Sequence, residues 1–114
     1  MIKQGAQAEQ LAAQYLQQQG LTPVAQNYRS RFGEIDLIMQ DDKTLVFIEV
    51  RLRRNADFGG AAASIDAHKQ QRIISTAQHY LANLARMPPC RFDVVLLDDV
   101  RGRNMQWLKN AFDA

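Results

Sequence analysis

Two carboxylates in this chain are spaced to meet across a β-hairpin. Asp36 lies in Gly33-Glu34-Ile35-Asp36-Leu37-Ile38, and Glu49 in Leu45-Val46-Phe47-Ile48-Glu49-Val50-Arg51. Between them, Asp41-Asp42-Lys43-Thr44 has turn chemistry. A two-residue tip at Asp42-Lys43 pairs position 36 with position 49, and a four-residue loop closed by Gln40 and Leu45 gives the same pairing. Directly opposed residues have Cβ atoms roughly 4.5–5.5 Å apart. Two like charges that close are destabilising unless a cation or a proton lies between them. A divalent metal site is the simplest reason to build such a pair.

The chemistry that fits is phosphodiester hydrolysis, which needs an activated water, neutralised phosphate charge and help for the leaving oxygen. Mg²⁺ or Mn²⁺ can supply all three, held by a few protein oxygens with the rest of its shell left to water and phosphate. Asp36 and Glu49 would be two ligands and the backbone carbonyl of Val50 a third. Arg51, two residues beyond Glu49, shares its sheet face and could bind the scissile phosphate. Glu9 sits at the edge of the first helix's apolar stripe, from which it either leans over the sheet towards the pair or stays in water as a boundary glutamate. The same hairpin register sets Glu34 across from Arg51, to orient it or to form a plain ion pair. Lys69 lies one helical turn before Ile73, placed either to reach the sheet as a cation or to snorkel over the core rim. The alternative for the acidic pair is that each carboxylate pairs with an arginine and binds nothing.

Those residues need a frame. The chain has 114 residues, enough for one domain over 1–114 and too few for two. Hydrophobic residues make up 46% and charged residues 23%, as in a globular protein. No apolar run approaches the ~18 residues of a membrane span. The opening Met1-Ile2-Lys3-Gln4-Gly5 lacks the apolar stretch of a secretory signal, so the expected location is cytoplasmic. The single cysteine, Cys90, excludes an internal disulfide and a zinc ribbon and reads as a small buried filler. His68 and His79 lack metal-ligand spacing. Net charge is only +2, but ten of the fourteen basic residues are arginine. Arg29, Arg31, Arg51, Arg53 and Arg54 lie near the acidic pair in sequence, and a guanidinium matches phosphate oxygens with a planar fork of donors. That local bias, more than net charge, points to a phosphate-bearing ligand; the plain alternative is a solvated face.

Residues 4–19 read as a helix with the stripe Ala8, Leu11, Ala12, Tyr15 and Leu16, capped by Gly20. Leu21 to Tyr28 is an edge-strand candidate because of Pro23. Residues 33–40 and 44–53 form the hairpin, with Ile35, Leu37 and Met39 facing one side and Asp36, Ile38, Phe47 and Glu49 the other. Both faces are apolar in mid-strand, so cover is expected on both. Arg54 to Ala63 reads as a mobile loop. A helix is expected from Ile65 to Arg86, N-capped by Ser64, with the stripe Ile73, Ile74, Ala77, Tyr80, Leu81 and Leu84. Arg91 to Leu97 is a strand, and Met105 to Leu108 a short one. The order gives a mixed sheet flanked by helices, of the α/β class.

Taken together, these motifs resemble the YraN-like (UPF0102) family of small uncharacterised bacterial proteins. The resemblance covers nearly the whole chain. It rests on Gly33-Glu34-Ile35-Asp36-Leu37-Ile38, on Leu45 to Arg51 with Arg53, and on Phe58-Gly59. It continues through Lys69, Arg72, Tyr80-Leu81, Arg91-Phe92-Asp93-Val94-Val95 and Asn110-Ala111-Phe112. That family is similar in fold to the PD-(D/E)xK restriction endonucleases and Holliday junction resolvases. The resemblance implies an αβββαβ core, a Mg²⁺-dependent endonuclease site acting on branched or damaged DNA, and a homodimer. It places the helix-one acid at Glu9, the aspartate at Asp36 and the acid of the E-x-K element at Glu49. The lysine of that element falls on Arg51, a departure, since arginine effectively cannot lose a proton to activate water. Lys69 is the candidate to compensate. The same departure suits an alternative, a non-catalytic nucleic-acid-binding or scaffold domain on this fold.

Overall fold

A computed structural model describes residues 4–52, 65–99, 101–102 and 104–114. Arg53, Arg54, the 54–63 loop and the expected Ser64 cap lie outside the described residues. The elements are α1 (Gln4–Gln18), β1 (Thr22–Ser30), β2 (Gly33–Asp41), β3 (Thr44–Leu52), α2 (Ala67–Leu81), β4 (Cys90–Leu97) and β5 (Gln106–Phe112). The strands form one sheet in the order β1-β2-β3-β4-β5. β1, β2 and β3 are an antiparallel meander, β3 and β4 run parallel, and β5 returns antiparallel. The mixed α/β architecture expected from sequence is present. No helix among the described residues is long and apolar enough to cross a membrane.

Alternation along the strands divides the core between two helices. Leu37, Met39, Val46, Ile48, Val95 and Leu97 pack with Ala8, Ala12 and Leu16 of α1. Ile38, Phe47, Phe92, Val94 and Leu96 pack with Ile73, Ile74 and Ala77 of α2. β2 and β3 are apolar on both faces because each face meets a helix.

α1 ends as its glycine predicts. Gly20 has φ 100°, its N–H donates to Gln17 O, and the Leu21 N–H reaches back to Leu16 O at 3.0 Å. This is a Schellman closure, with Leu21 and Leu16 both buried in the α1 core. The hairpin also forms as expected: Asp41 pairs with Thr44, leaving the tip at Asp42-Lys43. β1 is an edge strand, and its ladder with β2 shifts between Pro23 and Ala25.

Several expectations are corrected. Ile35 packs with the α2 core, away from Leu37 and Met39; the β2–β3 ladder ends at Leu37 and Ile48, so pairing with β3 no longer holds the alternation there. The N-cap of α2 is Asp66, whose Oδ1 accepts the Lys69 N–H at 2.7 Å. α2 stops at Leu81 rather than Arg86. There Asn83 and Leu84 switch to bonds three residues back, and the Asn83 amide donates to His79 O. Leu84 is therefore exposed, and Cys90 is exposed too, not a buried filler. β5 runs to Phe112, longer than expected, because Asp93 binds the Asn110 N–H and holds the strand past a bulge.

Candidate active site

The site lies where β2 starts and β3 ends. The hairpin register that pairs Leu37 with Ile48 sets Asp36 opposite Glu49. The ladder opens there, and Asp36 turns its carboxylate onto the neighbouring strand: Oδ2 accepts the Val50 N–H at 2.8 Å. Val50 thus enters the site through its amide N–H. Val50 and Leu52 lean towards the α1 core, which leaves Glu49 and Arg51 on the α2 face.

Glu49 is only 4% exposed and is hydrogen-bonded to Asp36. Two carboxylates in contact, one buried and one half-buried, cannot both be charged without cost. The Asp36 carboxyl is pushed up to about 9, first by burial, then by the hydrogen bond to Glu49 and the Glu49 charge. The Val50 N–H opposes that rise, and the Glu9 charge adds to it. At neutral pH Asp36 therefore keeps its proton. The other charge partner of Glu49 comes from α2: Lys69 Nζ lies 3.0 Å from Oε2. The Asp66 cap starts the helix so that Lys69, in its first turn, reaches the sheet.

Two further acids close on Asp36 from the other side. Carboxylate oxygens of Glu9, Glu34 and Asp36 lie within 4.8 Å of one another. The amide of Asn27 joins two of them, donating to Glu9 Oε1 at 2.8 Å and to Glu34 Oε1 at 2.9 Å. Asn27 has φ 50°, and the β1–β2 register sets it opposite Asp36. Glu34 also pairs with Arg29, Nε to Oε2 at 3.2 Å. A cleft of about 210 Å³, lined by Gly33, Glu34, Asp36, Lys69, Arg72 and Ile73, opens onto the acids from the α2 side. A second, of about 200 Å³, lies on the α1 side between Glu9, Gln10, Gln26 and Asn27.

Of the residues expected at a site, the fold gathers Glu9, Asp36, Glu49, Val50 and Lys69. Glu9 leans over the sheet rather than standing alone in water, and Lys69 reaches the pair rather than snorkelling. Arg51 is half-buried at the end of β3. Arg29 is exposed and committed to Glu34, while Arg31 is exposed over the Phe32 ring at 4.9 Å. Sequence reasoning gave Glu34 only a partner's role, although its two-residue offset from Asp36 was a readable signal. It missed Asn27 and undervalued Arg72, whose places depend on the β1 register and the docking of α2.

A second buried carboxylate lies elsewhere. Asp93, fully buried on the α1 face of β4, accepts hydrogen bonds from Arg91 Nε, Trp107 Nε1 and the Asn110 N–H at 2.9–3.2 Å. Arg91 also pairs with Asp41 at 2.9 Å. Every oxygen of Asp93 is satisfied, so this is a structural clasp joining β4, β5 and the hairpin end.

The sequence of this protein matches the model of the uncharacterised protein family UPF0102 over residues 8–97. It is 59% identical over 109 residues to a UPF0102 protein of Nitrosomonas europaea, covering 96% of this chain and 92% of that one. A UPF0102 protein of Cupriavidus taiwanensis is 59% identical over 111 residues, covering 96% and 82%. One from Nitrosospira multiformis is 52% identical over 109 residues, covering 96% and 92%. With such similarity along nearly its whole length, the chain belongs to the UPF0102 family.

Proposed function

We propose that this protein is a divalent-metal-dependent endonuclease that hydrolyses phosphodiester bonds in DNA. The observation that carries the reading is the pair of half-buried Asp36 and buried Glu49, with Lys69 salt-bridged to Glu49 and with Glu9 and Glu34 beside Asp36. Asp36 keeps its proton at neutral pH in the absence of a cation, so the cluster is short of positive charge. Its donors are all hard carboxylate oxygens, the type Mg²⁺ and Mn²⁺ prefer. An octahedral ion with ~2.1 Å bonds spaces opposite ligands by about 4.2 Å, close to the spread of the three acids. The residues present fit such an ion. Asp36 would be its central ligand with Glu9 and Glu34 beside it, and Glu49, paired with Lys69, would join them on release from that ion pair.

When bound, the cation supplies charge at the phosphate and lowers the pKa of water. The rest falls to side chains. Lys69, on the rim of the cleft, would compensate for the absent E-x-K lysine by positioning Glu49. Arg51 and Arg72 offer fixed charge to phosphate oxygens as negative charge develops. A non-catalytic DNA-binding domain is the second reading, favoured by Arg51, which cannot act as a base.

Calorimetric titration with Mn²⁺, paired with a cleavage assay on duplex, single-stranded and four-way-junction DNA, tests the proposal. Uptake of one ion and cleavage that disappears in Asp36→Ala and Glu49→Ala are expected. No uptake at millimolar metal would remove the enzymatic reading. Arg51→Lys should raise turnover if arginine limits the chemistry.

A further inference from the structure

The turn between β1 and β2 exposes an aromatic ring beside the cleft. Phe32 is 40% exposed, and the Arg31 guanidinium lies 4.9 Å from its centroid. The turn is tied to α2 by a relay: the Phe32 N–H donates to Ser30 Oγ, Ser30 to Thr76 Oγ1 and Thr76 to Arg72 O, at 3.0, 3.1 and 2.8 Å. Thr76 is fully buried, so the relay has a rigid anchor. Gly33, next in the chain, has φ 156° and lies against Arg72 and Thr76. That backbone geometry favours glycine and lets the turn sit directly on the helix. Gly33 itself lines the cleft with Asp36, Lys69 and Arg72.

An aromatic held this firmly without being buried is suited to binding. Its chain neighbours Ser30, Arg31 and Gly33 are polar or lack a side chain and so offer no apolar contact to a hydrophobic peptide. With Arg31 at the ring and Arg72 lining the adjoining cleft beside Gly33, the surface matches a flat π face joined to a phosphate. We propose that Phe32 is a stacking platform for an unpaired DNA base, placed so that the adjoining phosphate meets Arg72 at the cleft. A base inside a duplex already has both faces stacked, so the ligand is DNA with a splayed or single-stranded arm. This rests on the endonuclease reading and names the substrate class of that site.

The test is fluorescence anisotropy in EDTA with single-stranded, forked and blunt duplex oligonucleotides, comparing wild type with Phe32→Ala, Phe32→Leu and Phe32→Tyr. Loss of one base–aromatic stack weakens binding by about tenfold. Phe32→Ala and Phe32→Leu should lose about that much on forked and single-stranded DNA and less than about twofold on the blunt duplex, while Phe32→Tyr keeps wild-type affinity. A 2-aminopurine at the fork should be quenched by wild type and not by Phe32→Ala. Unchanged affinity in Phe32→Ala would overturn the platform and leave Phe32 as a surface for a protein partner; equal losses on forked and blunt DNA would overturn it as well. Because binding is measured without a cation, failure of the nuclease reading, seen as no Mn²⁺ uptake and no cleavage, is scored separately.

Discussion

Lys69 and Glu49 lie 20 residues apart in sequence and on different elements, yet the ammonium sits 3.0 Å from the carboxylate. The lysine is one-third exposed while the glutamate is buried, so the pair bridges cleft and core. Lys69→Met leaves a buried carboxylate uncompensated and is expected to destabilise the metal-free protein by about 1–3 kcal/mol. It also frees Glu49 for a cation. Mn²⁺ affinity should therefore rise while turnover falls at least about a hundredfold. Chemical denaturation, calorimetry and a cleavage assay on the one variant check all three; a fall in metal affinity would contradict the assignment of Lys69 as the competing cation.

The raised Asp36 pKa makes stability depend on pH. An unfolded aspartate titrates near 3.8 and the folded one near 9. Between those values the folded state binds the extra proton, so the Asp36 contribution is fully present below about pH 4 and is lost as pH rises towards 9. The metal-free protein should lose stability over that window with a slope of at most about 1.4 kcal/mol per pH unit. Asp36→Asn should flatten it, and saturating Mn²⁺ should flatten it in wild type by replacing the proton. Urea melts at pH 5, 7 and 8.5 measure the slope.

Asn27 holds Glu9 and Glu34 with one amide, in a left-handed backbone conformation that glycine also adopts. Asn27→Gly removes the amide without adding backbone strain. The expected cost is about 1 kcal/mol in metal-free buffer, from the lost hydrogen bonds to two carboxylates. Mn²⁺ should raise the melting temperature of this variant more than that of wild type, because the cation takes over the role of the donor. Equal shifts would show that Asn27 does not bear on the acidic cluster.

Asp93 is the control site, a buried carboxylate on the opposite face of the sheet from the α2-side cleft. Asp93→Ala leaves Trp107 Nε1 and the Asn110 N–H without their acceptor and leaves Arg91 only Asp41; it should cost about 3–5 kcal/mol, with a change in Trp107 fluorescence. Asp93→Asn, which still accepts from one donor, should cost less. Mn²⁺ affinity should be unchanged in whichever variant stays folded, as read by calorimetry below its melting temperature.

The sequence determined what is local. The Asp41 to Thr44 turn set the hairpin register, which brings Asp36 and Glu49 together just beyond the last Leu37–Ile48 pair. Helix periodicity marked Ala8, Ala12, Leu16, Ile73, Ile74 and Ala77 as core, and Gly20 marked the end of α1. The resemblance carried by Arg91 to Val95 and the hairpin motifs named the family correctly. Tertiary structure decided the rest. Ile35 changes sides because β2 loses its β3 partner one residue earlier, a fact no alternation rule contains. Whether Glu9 and Lys69 stay in water or close on the pair depended on how α1 and α2 dock on opposite faces. The places of Asn27 and Asp93 depended on β1 and β5 finding their register against distant strands. A turn determines only the pairing it closes; contacts between elements far apart in the chain follow from packing the whole core, so the acidic pair was legible and most of its surroundings were not.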